Sequence, residues 1–547
     1  MEGLKPKLFT VLKSYSKEQF VKDVISGIIV AIIALPLSIA LALASGVGPE
    51  QGLYTAIVAG FIISFLGGSR VQIAGPTAAF ASIVAGIVAT SGMDGLIVAT
   101  VLAGIILVVM GVLRLGNLIK FIPYTITTGF TFGIAVTIAV GQVKDFLGLT
   151  FSSSPIETTG KIAEIFKSIG TINFTALVVG LISLAILILW PKIKALDKIP
   201  PSLIAVIVSA ALVKLLDLNV NTIGDLYTIS SDLPSITLPA LSFDVISKSL
   251  PDAFTIAILA AVESLLSCVV SDGMIGDRHN SNMELIAQGA GNIGSALFGG
   301  IPATGAIART AANIKNGGRS PIAGMVHAVV LLIILVVLMP YAALIPMPAI
   351  AAILFMVAYN MSGWRECVNL IKTSPKSDIS ILLVTLILTV IFDLVVAIIA
   401  GLLLAALLFM KRMADVTEVE SWKYIGEDGV DVDNINLKVV PKNTIVFELN
   451  GPMFFGMADK VSRLMFDKTK DVLILRMRGV PSMDISALRS LKTLLNDCKK
   501  NKVTLVLSHV NEQPMRVLEK AGFIEEIGRE NICACIDDAL KRAEEIN

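Results

Sequence analysis

Apolar runs long enough to cross a bilayer dominate the first 413 residues, and no other feature of the chain constrains its fold as strongly. A transmembrane helix needs about 20 apolar residues. Fourteen apolar segments, several of them unusually short, fall at 23–45, 52–67, 76–90, 94–113, 120–143, 172–190, 199–216, 250–271, 283–298, 303–315, 320–340, 347–360, 376–392 and 394–411, the last two separated at Asp393. Charge is partitioned to match. From Ala414 to Asn547, 41 of 134 residues are Asp, Glu, Lys or Arg, against 46 of 413 before that point. The C-terminal share is ordinary for a soluble domain, where about 25% of residues are charged, and the N-terminal share is far below it. The expected organisation is a cytoplasmic segment 1–22, a membrane sector 23–413, a linker 414–433 and a soluble domain 434–547. A wholly soluble enzyme is excluded.

Charge placement tests that division independently. With the N-terminus in the cytoplasm, 19 Lys and Arg fall on the inner side of the layout, among them Lys5, Lys22, Arg70, Lys120, Lys194, Lys198, Arg278 and Arg412. Five fall on the outer side: Lys144, Lys161, Lys167, Lys214 and Lys248. Cytoplasmic loops carry the excess of Lys and Arg, so both termini are expected in the cytoplasm and the number of spans is even. The first twenty residues are polar and basic, with no cleavable signal peptide evident. A net charge of +1 provides no support for nucleic-acid binding. Cys268, Cys367, Cys498, Cys533 and Cys535 have no regular spacing and read as free or buried thiols. His279, His327 and His509 are scattered, two of them reading as loop or packing residues, and no metal, cofactor or catalytic arrangement is expected.

The soluble part alternates strand-like runs at 444–449, 472–476 and 504–508 with helical patterns at 458–466, 485–496 and 513–521. That order implies βαβ connections and a mostly parallel sheet.

Two ionisable residues fall well inside the apolar segments, Glu263 and Arg309. A charge at the centre of a span costs about 2.5–3.5 kcal/mol on insertion scales, so such a group faces a cavity or a partner. A structural Glu–Arg pair between two helices is one reading. Two short segments point further. Gly67-Gly68 precedes Pro76, Gly299-Gly300 precedes Pro302, and each proline is followed by a helix rich in small residues. Proline suits the first helical turn. A helix that starts in mid-membrane leaves free N–H groups and a positive dipole end facing a cavity, and two such ends facing each other make an anion site without a metal. Broken helices at corresponding places in two halves mark a transporter's midplane site. These two are the third and tenth of fourteen segments, as a seven-plus-seven inverted repeat requires. Small-residue helix packing is the other reading of the glycines.

The stretches ALPLSIALA at 34–42, GPEQGLYTAIVAG at 48–60, GGSRVQIAGPTAAF at 67–80, IPYTITTGFTFGIAVTIAVGQVKDFLGL at 122–149 and NMELIAQGAGNIGSALFGGIPATGAIARTAAN at 282–313 resemble the SulP family of anion permeases, related to the solute carrier 26 transporters and prestin. The C-terminal part resembles the STAS module these permeases carry. The resemblance spans nearly the whole chain. It implies a polytopic α-helical membrane protein with 14 transmembrane segments in 7+7 inverted repeats, broken helices 3 and 10, a gate/core division, a cytoplasmic α/β STAS domain and a homodimer. Carried over by position, Pro76, Thr77, Ala78 and Ala79 would open the third helix, and Ala303, Thr304, Gly305 and Ala306 the tenth. Arg309 would stand near the anion, with Ala308 where prestin has a serine. Glu263, on the eighth helix, would be the proton-coupling acid; Ser267, one turn on, leaves a sodium site as the less favoured alternative. VPSMDISAL at 480–488 resembles the phosphorylated loop of sigma-factor antagonists, but Ile485 follows Asp484 where that pattern has serine, and Ser486 reads as a helix cap.

These observations predict a secondary active anion transporter in a bacterial inner membrane, a proton-coupled symporter of sulfate or a C4-dicarboxylate working by an elevator mechanism. AVESLLSCVVSDGMIG at 261–276 resembles dicarboxylate carriers, while sulfate permeases share most motifs. A sodium-coupled bicarbonate symporter or an anion exchanger is the nearest alternative; an anion channel or an anion-sensing protein is the alternative from another class.

Overall fold

The computed structural model describes every residue except 1–3, 118–122, 154, 156, 194–198, 231, 237–242, 393, 417, 423–439, 442, 456–469 and 547. Lys120, Lys194, Lys198, Asp393, the helix expected at 458–466 and most of the expected linker therefore lie outside the described residues. The chain divides into two compact units, Met1–Leu402 and Leu403–Asn547.

In chain order the first unit contains α1 (Lys7–Val11), α2 (Lys17–Ala44), α3 (Pro49–Leu66), β1 (Ala74–Gly75), α4 (Ala78–Val112), α5 (Tyr124–Leu147), α6 (Thr158–Ser168), α7 (Phe174–Leu189), α8 (Pro201–Leu215), α9 (Ile223–Leu226), α10 (Phe243–Ile275), α11 (Ser281–Leu297), β2 (Thr304–Gly305), α12 (Ile307–Lys315), α13 (Ile322–Ala342), α14 (Met347–Ser362), α15 (Trp364–Thr373) and α16 (Lys376–Ile391); α17 (Leu394–Val416) runs across the division. Every one of the fourteen apolar segments carries helix. Segments 76–90 and 94–113 form the two arms of α4, which breaks at Gly92 (φ 68°, ψ −174°). Among the described residues, nine helices are long and apolar enough to cross a membrane by themselves.

Small residues let helix backbones touch. A Cβ on Gly104 of α4 would lie 2.7 Å from the Gly289 carbonyl of α11, and one on Gly289 would lie 2.5 Å from the Gly104 carbonyl. With lipid as apolar as leucine, such close van der Waals approach holds membrane helices together. Two groups result: α2, α3, α4, α10, α11, α12 and α13 pack on one another, and α5, α7, α8, α14 and α16 form the second group. At the N-terminal end, Ser16 caps α2 by accepting from Gln19 N at 3.1 Å. Asp23, fully buried, accepts from Tyr15 Oη (2.6 Å), Gln19 Nε2 (3.0 Å), Arg319 N (2.7 Å) and Ser320 Oγ, which ties the start of α2 to the α12–α13 turn.

The second unit holds a five-stranded sheet in the order β3 (Glu418–Trp422), β4 (Thr444–Asn450), β5 (Val472–Gly479), β6 (Thr504–Ser508), β7 (Ile532–Cys533). β3 pairs antiparallel with β4 and the other pairs are parallel. β5 is central and apolar on both faces, as a strand covered on two sides must be. Leu473, Leu475 and Met477 join a core with Leu491, Leu494 and Phe523, while Val472 and Ile474 join Val506, Ala539 and Ala543 opposite. Two expectations are corrected. β3 lies inside the stretch read as linker. The cap of helix Ile485–Lys500 is Asp484, not Ser486: its Oδ1 accepts from Ala487 N at 2.8 Å and its Oδ2 from Phe455 N at 3.0 Å. The residue three positions ahead of the receiving amide is the one placed to cap, and Ser486 is already inside the helix.

Candidate functional site

Two extended stretches cross within the first helix group. Ala74 of β1 lies opposite Gly305 of β2, and Gly75 opposite Thr304, antiparallel. Side chains and flanking amides continue the pairing. Ala306 N donates to Ile73 O (2.8 Å), Ile73 N to Thr310 Oγ1 (3.0 Å) and Asn313 Nδ2 to Val71 O (2.9 Å). On the second stretch Ile301 N donates to Thr55 Oγ1 (2.7 Å), Ala303 N to Asn292 Oδ1 (2.9 Å) and Gly305 N to Ser264 Oγ (3.1 Å). Non-helical backbone at membrane depth survives only where protein groups satisfy it, and these bonds do so.

They also correct where the helices begin. α12 starts at Ile307 with Ala306 as its N-cap, so Thr304 and Gly305 are strand, Ala303 leads into it, and none of the three is a first-turn residue; α4 starts at Ala78 with Thr77 as its N-cap, two residues beyond Pro76. The extended residues are held by Asn292, Ser264 and the opposite strand, and those bonds outweigh the helix-start preference of the prolines. Neither helix start has a side-chain capping bond. The Thr77 hydroxyl is committed elsewhere, donating to Glu263 Oε2 at 2.9 Å.

One cavity of about 1220 Å³ meets both helix starts. Its lining brings together Pro76, Thr77, Ala78, Ala79, Glu263, Gly305, Ala306, Ala308 and Arg309, with Ile33 and Leu37 of α2 from the same helix group, and Phe130 and Thr131 of α5, Leu187 of α7 and Ile353 of α14 from the second. Ala303 and Thr304 do not line it: Ala303 is bonded to Asn292, and Thr304 Oγ1 sits 2.6 Å from Ser264 Oγ behind the strand. Arg309 is 3% exposed, and its Nη2 donates to the Pro76 carbonyl, so the guanidinium of one broken helix reaches the start of the other. A Cβ on Gly75 would fall 2.5 Å from Arg309 Nη1, which is why this position has no side chain. Among the described residues Glu263 and Arg309 form no direct ion pair; the carboxylate meets Thr77 and the guanidinium meets Pro76. An acid and a cation thus line one cavity without pairing with each other.

Sequence reasoning missed the support behind this cavity. Glu284 of α11 is fully buried, one position inside the segment expected at 283–298, and was not singled out beside Glu263 and Arg309. Its carboxylate accepts from Gly68 N (2.9 Å), Ser69 N (3.2 Å), Gln288 Nε2 (2.9 Å) and Gln72 Nε2 (3.4 Å). The Gln72 amide also donates to Ser264 O (3.1 Å) and accepts from Ser267 Oγ (2.9 Å), and it fills the space above Gly305, where a Cβ would lie 1.8 Å from Nε2. Ser267, one turn beyond Glu263, is therefore turned to Gln72.

Known proteins are similar to this chain over most of its length. The family model described as "Sulfate permease family" matches residues 20–385, and a STAS domain model matches 434–539. The chain is 39% identical over 524 residues to the "Putative sulfate transporter YvdB" of Bacillus subtilis (strain 168), covering 95% of this chain and 97% of that one. It is 30% identical over 547 residues to the bicarbonate transporter BicA of Picosynechococcus sp., covering 95% and 94%. Among solved structures, the murine solute carrier 26 family member A9 superposes with a TM-score of 0.88 at 20% identity over 99% of this chain and 94% of its own. The transmembrane domain of a cyanobacterial BicA superposes with a TM-score of 0.63 at 29% identity, over 71% of this chain and 98% of its own. The chain belongs to the sulfate permease family, multi-pass membrane proteins that transport anions and are not enzymes, and it carries that family's C-terminal STAS domain.

Proposed function

We propose that this protein is a secondary active symporter that carries a small oxyanion, sulfate or a C4-dicarboxylate, together with a proton. The observation that carries the reading is the one cavity lined by both Arg309 and Glu263 together with the starts of the two broken helices. Arg309 attracts the anion, and the uncapped first turns at Thr77–Ala79 and Ala306 supply N–H donors and a positive dipole end. Pro76 and Gly305 shape the floor; Ala303 and Thr304 hold the second strand in place. A carboxylate at Glu263 repels an arriving anion, whereas its neutral form does not, so anion binding and proton uptake favour each other. The cavity lies between the two helix groups, which supports an elevator movement of one group past the other, with fourteen spans in two inverted halves and both termini in the cytoplasm of a bacterial cell membrane. A homodimer belongs to the same reading.

A second reading, sodium-coupled bicarbonate symport, is favoured by the full-length similarity to BicA. Uptake of labelled sulfate, succinate and bicarbonate into proteoliposomes, under an inward proton gradient or an inward sodium gradient, separates the two. Proton-driven uptake of sulfate or succinate supports the first; uptake of bicarbonate that follows sodium and ignores the proton gradient replaces it with the second. Flux far above carrier turnover would make the protein a channel, and binding without flux a sensor.

A further inference from the structure

Of the two terminal nitrogens of Arg309, one is committed and one idle. Nη2 donates to the Pro76 carbonyl, while Nη1 is buried with no hydrogen-bond partner among the described residues. The next helix holds its complement. His327 of α13 is fully buried, and neither Nδ1 nor Nε2 has a partner among the described residues. Arg309 Nη1 lies against the first extended stretch: a Cβ on Gly75, two residues beyond Ile73, would fall 2.5 Å from it. The face of α13 that carries His327 backs the crossed strands: one turn earlier, a Cβ on Gly324 would lie 2.2 Å from Ser64 Oγ and 3.4 Å from Ile73 Cδ1. Ser64 Oγ is likewise buried without a partner among the described residues. Buried polar groups are nearly always hydrogen-bonded, and an idle one calls for an explanation. Here a guanidinium donor and a neutral imidazole acceptor, both idle, lie on consecutive helices behind the site.

We propose that His327 is the positioning residue for Arg309: it accepts from Nη1 across one bridging water, and so keeps the guanidinium aimed at the cavity while the anion enters and leaves. A water can bridge polar groups of this kind where they enclose it. Lysine could not replace the arginine in this role, because two fixed nitrogens are used in different directions, one forward to Pro76 or the anion and one back to the imidazole. A purely structural histidine, in contrast, would be expected to have its ring nitrogens bonded in the resting fold.

This inference rests on Arg309 being the anion's cationic partner, and the test keeps the two apart. Sulfate and succinate uptake is measured in proteoliposomes for His327→Leu, His327→Gln and Arg309→Gln, with the melting temperature of each purified full-length variant in detergent. Removing one partner of a buried hydrogen bond leaves the other unsatisfied, at a cost of about 1–3 kcal/mol. The expected result for His327→Leu is therefore a modestly lower melting temperature, a near-normal Vmax and a KM raised about tenfold, the size of one charge-assisted hydrogen bond, with melting temperature and KM both restored in His327→Gln. His327→Gln, which keeps an acceptor, stays within about twofold of wild type in KM, too small a change to represent a lost hydrogen bond. A wild-type KM in His327→Leu overturns the proposal, and so does a loss of Vmax and melting temperature that His327→Gln does not rescue. If Arg309→Gln itself leaves KM unchanged, the reading of the anion site fails as a whole.

Discussion

The two broken helices begin alike and then diverge. Each is led in by an extended stretch after a glycine pair, and each starts without a side-chain cap. One continues as the 35-residue α4, and its N-cap hydroxyl holds Glu263; the other is the nine-residue α12, whose N-cap is an alanine and whose first turn carries Arg309. The backbone device is shared, and the chemistry is split between the halves. The crossing builds a place for an anion, while side chains unique to each half decide what else the site does: the α4 side manages the acid and the α12 side supplies the cation.

Breaking the α12 side is expected to have the largest effect. Arg309→Gln lowers Vmax/KM for the anion by about 100-fold, within the ~2–5 kcal/mol that a desolvated charged partner carries; uptake kinetics in proteoliposomes check it. The two crossing glycines come next and distinguish fold from site. Gly305→Ala drives a methyl into the Gln72 amide, which is pinned by Ser264, Ser267 and Glu284. It is expected to destabilise the protein by about 1–3 kcal/mol through overpacking and to lower the melting temperature together with uptake. Gly75→Ala pushes on the end of the Arg309 side chain, so its KM rises severalfold with a smaller change in melting temperature. Thr77→Val, on the α4 side, removes the hydroxyl bonded to Glu263 and lowers proton-driven Vmax about fivefold, near the ~1 kcal/mol of one hydrogen bond, whereas Thr77→Ser stays near wild type.

The soluble unit offers smaller tests, independent of the crossing. Asp484→Ala removes the cap of helix Ile485–Lys500 and costs about 1 kcal/mol, visible as faster hydrogen exchange at Ile485–Ala487 in the full-length protein. Burial pushes the Cys498 thiol up to about 12. Below that pH it stays protonated, and the thiolate is the reactive form, so at pH 8 iodoacetamide is expected to leave Cys498 unmodified until the unit unfolds.

Much of this was legible from composition and spacing. Hydropathy located every helix-bearing apolar segment, and the glycine–proline pairs located both helix breaks, because long apolar runs and missing amide donors are local properties. The helix starts were misplaced by up to four residues, since the deciding bonds come from Asn292, Ser264 and the opposite strand, all remote in sequence. Gln72 and Glu284 were missed for the same reason: a neutral amide has no charge to stand out, and a carboxylate near the edge of an apolar run reads as a solvated end. β3 escaped because five residues rich in charge resemble a linker until they pair with β4. Glu263 and Arg309 stood out in the sequence, but not the fact that each bonds to the start of a broken helix rather than to the other.

The division of labour between the halves stands or falls on Glu263. Initial rates of sulfate and succinate uptake into proteoliposomes, measured for wild type and Glu263→Gln as the inward proton gradient is varied, test it most directly. The expected result is a wild-type rate that rises with the gradient and a variant rate that does not respond to it while anion binding persists. A Glu263→Gln carrier that still follows the proton gradient as wild type does would contradict the account.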